Sequence, residues 1–133
     1  MFRHEVRVRY GDCDMQQVVF NAHYLAYSDD AVMCWFAARL GERMYEFDCM
    51  LKSVNIVWLR PLRVGETASL DCHVSRWGNS SFDVAIHGHV AGEASFDVTI
   101  VYVSTTVGAP TATPVPDWVR LALREDEQLG AAR

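Results

Sequence analysis

Apolar and polar residues alternate over the first ten positions of the chain. The even-numbered positions place Phe2, His4, Val6, Val8 and Tyr10 on one face, and all of these except His4 are largely apolar. A period of two is typical of a strand with one buried face, so we predict a strand over residues 2–10. From Gly11 to Gln17 no period persists and turn-forming residues come first, which predicts that the chain leaves the sheet there.

The pattern changes to helical spacing after Asn21. Apolar residues recur three and four positions apart, at Tyr24, Tyr27, Ala31, Cys34, Trp35 and Ala38. This spacing predicts a helix over residues 22 to about 40, with Asn21 as its N-cap and with its end before Gly41. Further apolar residues fill much of the remaining circumference, as is typical of a buried helix. We therefore expect the rest of the chain to wrap it.

The second half of the chain has the pattern of a strand meander. Residues 53–60 carry apolar side chains on both faces, and cleaner alternation follows in three segments: 67–75, 82–90 and 94–102. A connection rich in Gly, Pro and Thr leads to a short helix from Asp117 to about Gln128, and we expect Gly130–Arg133 to fray. One strand, a long helix and four antiparallel strands make an α+β arrangement in a single domain.

Composition narrows the function without identifying it. The chain has 133 residues, 50% hydrophobic and 22% charged, a size at which one domain buries its own core. Its 12 Lys and Arg against 17 Asp and Glu give a net charge of -5, which argues against a nucleic-acid partner. We find neither a run of about 18 apolar residues nor a signal peptide, so we expect a cytoplasmic protein with no membrane partner.

Cysteine and histidine usage argues against a metal centre. The four cysteines are scattered and form no Cys-x-x-Cys pair, so we expect reduced thiols: Cys13, Cys34, Cys49 and Cys72. His87 and His89 share the outward face of one strand with Asp83, a pattern more typical of a solvated face than of metal ligands. We expect no metal and no cofactor.

The residues around the predicted loop give a more specific signal. Three segments follow one another: Tyr10-Gly11-Asp12-Cys13-Asp14, Val18-Val19-Phe20-Asn21-Ala22 and Tyr24-Leu25-Ala26-Tyr27. In order and spacing they resemble the signature of the 4-hydroxybenzoyl-CoA thioesterase family, in which a strand ends in Asp-x-Asp and Asn-x-x-Tyr opens the central helix. Pro61, Gly65 and Ser81 also fall where that family has them. The resemblance runs from about residue 2 to about residue 120.

The resemblance implies a hot-dog fold, an antiparallel sheet of about five strands wrapped around a long central helix. It also implies hydrolysis of an acyl-CoA thioester, with Asp14 as the essential carboxylate. Direct attack by Asp14 and activation of a water are both open, since each needs a carboxylate near the carbonyl carbon. The Asn21 amide would donate to the carbonyl oxygen. Independently, unpaired N–H groups make a helix N-terminus suited to developing negative charge.

Seven further residues are candidates for substrate contacts: His23, Tyr24, Trp58, Arg60, Arg63, Arg76 and Ser81. The arginines are candidates for the phosphates of coenzyme A, and the aromatic residues for the core or an acyl pocket. The family commonly has basic residues at positions 78–80 and Gly-His at positions 17 and 18. This chain has Gly78-Asn79-Ser80 at the first of these positions, so we expect it to contact the phosphates elsewhere. It has Gln17-Val18 at the second, which indicates a substrate different from that of the better-known members.

Alternatives remain for both site and function. Asp29 and Asp30 are a rival site, because another hot-dog clade carries its catalytic acid within this helix. The alternative function is a non-catalytic protein that binds acyl-CoA or acyl carrier protein. A hydratase is a third, although we find no matching Asp-His motif. The resemblance implies a homodimer or homotetramer that completes the active site, and the two-faced apolar strand near Val57 and Leu59 agrees with this.

Overall fold

The computed structural model describes residues 1–130 and contains five strands and two α-helices. In chain order they are β1 (Phe2–Arg7), α1 (Asn21–Leu40), β2 (Asp48–Trp58), β3 (Thr67–Trp77), β4 (Ser81–Val90), β5 (Glu93–Thr105) and α2 (Asp117–Ala122). All strand pairs are antiparallel, and the sheet order is β1-β3-β4-β5-β2. The predicted α+β arrangement is therefore confirmed.

One side of α1 packs against the sheet and forms the core. Trp35 and Ala31 are fully buried there, and Phe36 packs close to Phe82 of β4. The opposite side of α1 is open, with Met33 52% exposed, so the expectation of a helix buried all round is wrong. A single sheet covers only one side of a helix. Neither helix within residues 1–130 is long and apolar enough to cross a membrane.

The first strand ends earlier than its alternation predicts. β1 stops at Arg7, and Tyr10 lies in a 3-10 turn with 89% of its surface exposed. Val8 still exchanges hydrogen bonds with the opposite segment, donating to the Glu66 carbonyl at 2.8 Å. The chain then turns because the Asp12 carboxylate accepts a hydrogen bond from the Arg9 amide at 3.1 Å. A local polar contact thus overrides the period-two pattern.

Two other boundaries differ from prediction. β2 begins at Asp48, five residues before the predicted start. The sequence did not show these residues as a strand because an irregularity between Leu51 and Ser53 shifts the register and interrupts the alternation. The second helix ends at Ala122 rather than near Gln128. After it the chain runs to Glu127, which pairs in parallel with Val74 of β3. The predicted fraying of residues 130–133 lies, apart from Gly130, outside the described residues.

The polar face of the meander is less exposed than predicted. Asp83 was expected to face outward, yet it is fully buried. Arg76 covers it, with its guanidinium 2.9 Å from the Asp83 carboxylate. His73 is also fully buried, and the ring of His87 stacks on it at a centroid distance of 5.4 Å. Long polar side chains on this face therefore cover one another.

The two edges of the sheet are different. β2 forms one edge, and its exposed residues include many apolar side chains: Met50, Leu51, Val54, Val57 and Trp58. β1 forms the other edge, is only 6 residues long, and exposes Arg3, Glu5 and Arg7. Charged side chains on a short strand discourage pairing with another chain, whereas a long apolar edge favours it.

Candidate active site

The loop between β1 and α1 is a short hairpin held by backbone hydrogen bonds. The Asp14 amide donates to the Val18 carbonyl at 3.0 Å, and the Phe20 amide donates to the Asp12 carbonyl at 3.0 Å. The Val19 amide donates to the Leu62 carbonyl at 2.9 Å, which fixes the hairpin to the segment after β2. These bonds set the position of the Asp14 backbone relative to the start of α1.

Asp12 anchors this hairpin from the inside. Its carboxylate is almost fully buried and accepts hydrogen bonds from the Tyr27 hydroxyl at 2.7 Å and the Arg9 amide at 3.1 Å. Burial favours the neutral acid, but the hydrogen bonds from Tyr27 and Arg9 outweigh it and lower the pKa of Asp12. Burial and the neighbouring carboxylate raise the pKa of Tyr27. Both contacts engage the Asp12 carboxylate within the fold, so it holds the hairpin in place.

Asp14 lies at the tip of the hairpin with an exposed side chain. One carboxylate oxygen accepts a hydrogen bond from the Gln16 amide at 2.8 Å, which orients the carboxylate. The Asp14 side chain lines an open groove that we call the loop groove, formed by Tyr10, Cys13, Asp14, Met15, Gln17 and Val64. Gln17 has a φ of 65°, in the left-handed region that glycine adopts at little cost. This backbone geometry suits the glycine that the resembled family has there.

The start of α1 leaves backbone donors unsatisfied. Phe20, not the predicted Asn21, is the N-cap, and a phenyl ring offers no acceptor to the first amides. The His23 amide donates to the Phe20 carbonyl at 2.9 Å, whereas those of Asn21 and Ala22 have no acceptor within residues 1–130. An apolar residue where a polar cap is usual was visible in the sequence, but the predicted boundary missed it.

A second groove, the helix-start groove, lies beside these amides and is lined by Val18, Val19, Asn21, Tyr24, Trp58, Leu59, Arg60 and Pro61. Trp58 is 48% exposed and meets the ring of Tyr24 edge-on at 6.0 Å. Tyr24 itself is almost fully buried, and its hydroxyl accepts a hydrogen bond from the Leu62 amide at 3.1 Å. Within one chain Tyr24 is thus a core residue, whereas Trp58 is half exposed along the helix-start groove.

Asp14 and Asn21, the two residues predicted to carry the chemistry, line different grooves of the same chain. The hairpin places them on neighbouring segments, since Asp14 pairs with Val18 three residues before the helix. His23 lines a third groove, between β1 and α1, together with His4 and Asp30. One chain thus brings these candidates to the same end of α1 without enclosing them in a common cavity.

The arginine candidates fall into two groups at opposite ends of the sheet. Arg60 contacts Glu66 at 2.5 Å, and Arg63 beside it makes no ion pair with any described residue. Arg76 hydrogen-bonds the Ser81 hydroxyl at 3.0 Å and pairs with Asp83, so Arg76 and Ser81 support each other. β3 connects the two groups, since it begins at Thr67 close to Arg63 and reaches Arg76 nine residues later. At ~3.3 Å per residue this separates the groups by roughly 30 Å, too far to share one phosphate within a chain.

The rival acids in α1 both have partners in this chain. Asp29 accepts a hydrogen bond from the Tyr102 hydroxyl at 3.1 Å. Asp30 lies 3.3 Å from the His4 imidazole. Neither lines the loop groove or the helix-start groove. Their surroundings place them apart from the unsatisfied amides of α1.

A family model described as the thioesterase-like superfamily matches residues 8–123 of the chain. A search of curated proteins gave no match.

Solved structures match over nearly the whole chain. A thioesterase superfamily protein from Jannaschia sp. has a TM-score of 0.89 at 19% identity, covering 96% of this chain and 93% of its own. A 1,4-dihydroxy-2-naphthoyl-CoA thioesterase from Synechocystis has a TM-score of 0.81 at 16% identity, with 93% and 96% covered. A thioesterase from Thermus thermophilus, complexed with coenzyme A and Zn, has a TM-score of 0.82 at 25% identity, with 94% and 92% covered. The architecture is the hot-dog fold.

Proposed function

Because the chain belongs to the thioesterase-like superfamily, we propose that it hydrolyses acyl-CoA thioesters, with Asp14 as the reacting carboxylate and the Asn21 amide as oxyanion donor. The observation that carries the proposal is the pair of unsatisfied amides at the start of α1, beside a hairpin that presents an exposed carboxylate. Free amides with the positive end of the helix dipole suit a tetrahedral oxyanion.

Asp14 has the access and the orientation that its role requires. Among residues 1–130, the Gln16 amide engages one Asp14 oxygen and no side chain engages the other, which can approach a carbonyl carbon or a water. Asp12 is buried and committed to Tyr27 and Arg9, so the motif supplies one structural and one available carboxylate. This difference in partners supports assigning the chemistry to the second aspartate.

We place the complete active site between two protomers. Asp14 and Asn21 line separate grooves in one chain, so a second chain would close the site around the substrate. The exposed apolar edge of β2, including Val54, Val57 and Trp58, is the surface suited to pairing. Trp58 at that edge also lines the helix-start groove, which links the interface to the site. Pairing of two such dimers would give the tetramer.

Coenzyme A would be bound through its phosphates at the end of the sheet that carries Arg63. That guanidinium makes no ion pair within the described chain, whereas Arg60 and Arg76 are engaged by carboxylates. Arg63 acts on the nearby Glu66 carboxylate through its charge but makes no direct ion pair with it, so a phosphate contact would break none. We also place the reaction in the cytoplasm, where the free cysteines remain reduced.

The first test is thiol release from aromatic, short-chain, medium-chain and long-chain acyl-CoAs. The wild type should release coenzyme A, and Asp14→Asn should lower kcat by about 100-fold or more, since it removes the base or nucleophile. Asp29→Asn is the matched control, because it changes a partnered carboxylate elsewhere, and it should retain turnover. If wild type binds acyl-CoA and protects the thioester, the protein is a binder. If Asp29→Asn loses turnover while Asp14→Asn retains it, the catalytic acid lies within α1.

The second test separates the two roles of Asp14. If Asp14 attacks, it forms an anhydride with the acyl group, and single-turnover hydrolysis in ¹⁸O-labelled water labels the Asp14 carboxylate when water opens the anhydride at the Asp14 carbonyl. Label in Asp14 therefore assigns the nucleophile role, whereas label only in the product acid fits either the base role or water attack at the acyl carbonyl of the anhydride. Peptide mass spectrometry of the Asp14 segment reads the outcome directly.

The third test addresses the interface. Val57→Lys on the β2 edge should shift the mass measured by light scattering to that of a monomer and abolish turnover. Val107→Lys is the control, because Val107 is 55% exposed on a loop after β5. A monomeric variant with full activity would show that one chain suffices.

A further inference from the structure

Three metal-ligating side chains meet between β1 and α1, away from Asp14 and the unsatisfied amides. The ligand atoms of His4, Asp30 and Cys34 all lie within 4.8 Å of one another. The closest contact joins His4 Nε2 to Asp30 Oδ2 at 3.3 Å. Imidazole nitrogen, carboxylate oxygen and thiol sulfur are thus presented together.

The fold explains why these groups converge. Asp30 and Cys34 are four residues apart on α1, so their side chains lie on the same face, one turn apart. His4 projects from the inward face of β1, as the alternating burial of that strand shows. Since β1 and α1 are regular elements packed together, the cluster does not depend on a loop.

We propose that His4, Asp30 and Cys34 bind a divalent zinc-like ion. Zinc accepts nitrogen, sulfur and carboxylate oxygen ligands in tetrahedral geometry, and three protein ligands leave a fourth position for water. Magnesium and calcium take oxygen ligands and do not suit a thiol. With the thiol deprotonated, the thiolate and the carboxylate carry two negative charges, which balance the charge of the ion.

The surroundings permit access. The Asp30 side chain is 66% exposed and that of His4 is 22% exposed, while Cys34 is partly buried. Asp30 and His4 also line the groove between β1 and α1, through which an ion can enter. Because zinc binds the thiolate form of cysteine, binding would displace a proton from the Cys34 sulfur to solvent.

A bound ion would join the edge strand to the central helix. His4 belongs to β1, whereas Asp30 and Cys34 belong to α1, so the ion would cross-link two elements that otherwise meet through packing and the His4–Asp30 contact. Because the ion binds the folded chain, it should raise the melting temperature. Hydrolysis at Asp14 does not require it, so the two proposals stand or fall separately.

Cobalt titration tests the site, since a thiolate bound to Co²⁺ gives a charge-transfer absorption that oxygen and nitrogen ligands do not. The wild type should bind one Co²⁺ per chain with this absorption, and Zn²⁺ should displace it. Cys34→Ser should lose the absorption, and His4→Gln and Asp30→Asn should weaken binding at least about tenfold. Cys49→Ser and His87→Gln are matched controls, a partly buried thiol and an ion-paired imidazole outside the cluster, and should bind as wild type.

Two results would overturn the proposal: a wild type without the absorption, or a Cys34→Ser variant that keeps it. If Cys34→Ser does not fold, the melting temperature of His4→Gln decides. Zn²⁺ should raise the melting temperature of the wild type, a chelator should reverse the rise, and His4→Gln should show little of it. An equal rise in both proteins refutes a site at His4.

Discussion

Asp126 is a buried carboxylate that fastens the C-terminal segment to α1, and replacing it with asparagine tests this attachment. Its side chain is fully buried and accepts hydrogen bonds from Trp35 Nε1 and Arg39 Nε, both at 2.8 Å. The amino group of Met1 lies 3.0 Å from its other oxygen. Asp126→Asn preserves the size of the side chain but removes the charge that all three donors share.

The expected loss of stability follows from these contacts. Breaking a buried ion pair typically costs ~3–5 kcal/mol, because a charged partner is left without compensation. The Arg39 side chain is 25% exposed, so water compensates part of its charge. We expect Asp126→Asn to lower the free energy of unfolding by about 2–3 kcal/mol. In urea denaturation this should lower the midpoint by roughly 1–2 M.

Asp97→Asn provides the matched control. Asp97 pairs with His87 at 2.7 Å, but both side chains are about half exposed, at 48% and 50%. An exposed pair contributes at most about 1 kcal/mol, so the midpoint should hardly move. Equal midpoint shifts for the two variants would refute the assigned role of burial at Asp126.

The pH dependence of the stability of wild type and of Asp126→Asn is a second check. Burial alone would raise the pKa of Asp126, but the hydrogen bonds from Arg39, Trp35 and the Met1 amino group outweigh it and lower that pKa. The stabilisation is therefore present above the unfolded pKa of about 3.9 and is lost as the pH falls through the lower, folded pKa. The stability gap between wild type and Asp126→Asn should narrow in that acidic range, and a gap that stays constant would contradict this assignment.

Three further changes have expected outcomes. Gly88→Ala should lower the free energy of unfolding by about 1–3 kcal/mol or more in urea denaturation, because the new Cβ would lie 2.1 Å from Phe96 Cε1 in the core. Tyr27→Phe should cost about 1–3 kcal/mol, since it leaves the buried Asp12 carboxylate without its hydroxyl donor, and turnover should fall as the hairpin loosens. Burial and the Asp71 charge raise the pKa of Cys72 to about 12, so a thiol-specific disulfide reagent at about pH 8 should modify Cys72 only after unfolding.

The order and type of the main elements could be predicted from the sequence because each buries one regular face. The alternation that predicts β3 and β5 survives in the structure, with Leu70 and Ile100 fully buried. The spacing of Tyr24, Ala31 and Trp35 likewise marks the face of α1 that packs on the sheet. A local pattern is enough where one face meets a continuous core.

The features that could not be predicted, such as the end of the second helix and the burial of Asp83, depend on tertiary contacts. The second helix stops early in a segment whose Asp126 binds Trp35 and Arg39, residues 91 and 87 positions away. Asp83 is buried and pairs with Arg76, an arrangement that alternation alone does not reveal.

The candidate site also has features that the sequence indicates and features that only the tertiary structure reveals. The sequence indicates Asp14 and the helix start as candidates, since both lie within one short motif. It does not reveal that they line separate grooves, or that His4 meets Asp30 and Cys34, because these arrangements depend on how β1 packs on α1. Local motifs indicate which groups are available, and tertiary packing decides which of them meet.

The contrast between the two sheet edges limits how far self-association can proceed. If the apolar β2 edge of one chain paired with the β2 edge of a second, the two chains would be related by a twofold axis. That single contact would bury both apolar edges. Growth into an open filament would instead require β2 to meet β1 head to tail, and the charges of Arg3, Glu5 and Arg7 oppose that contact. In the proposed dimer, pairing through β2 would therefore close on itself, and added copies would have to attach through other faces.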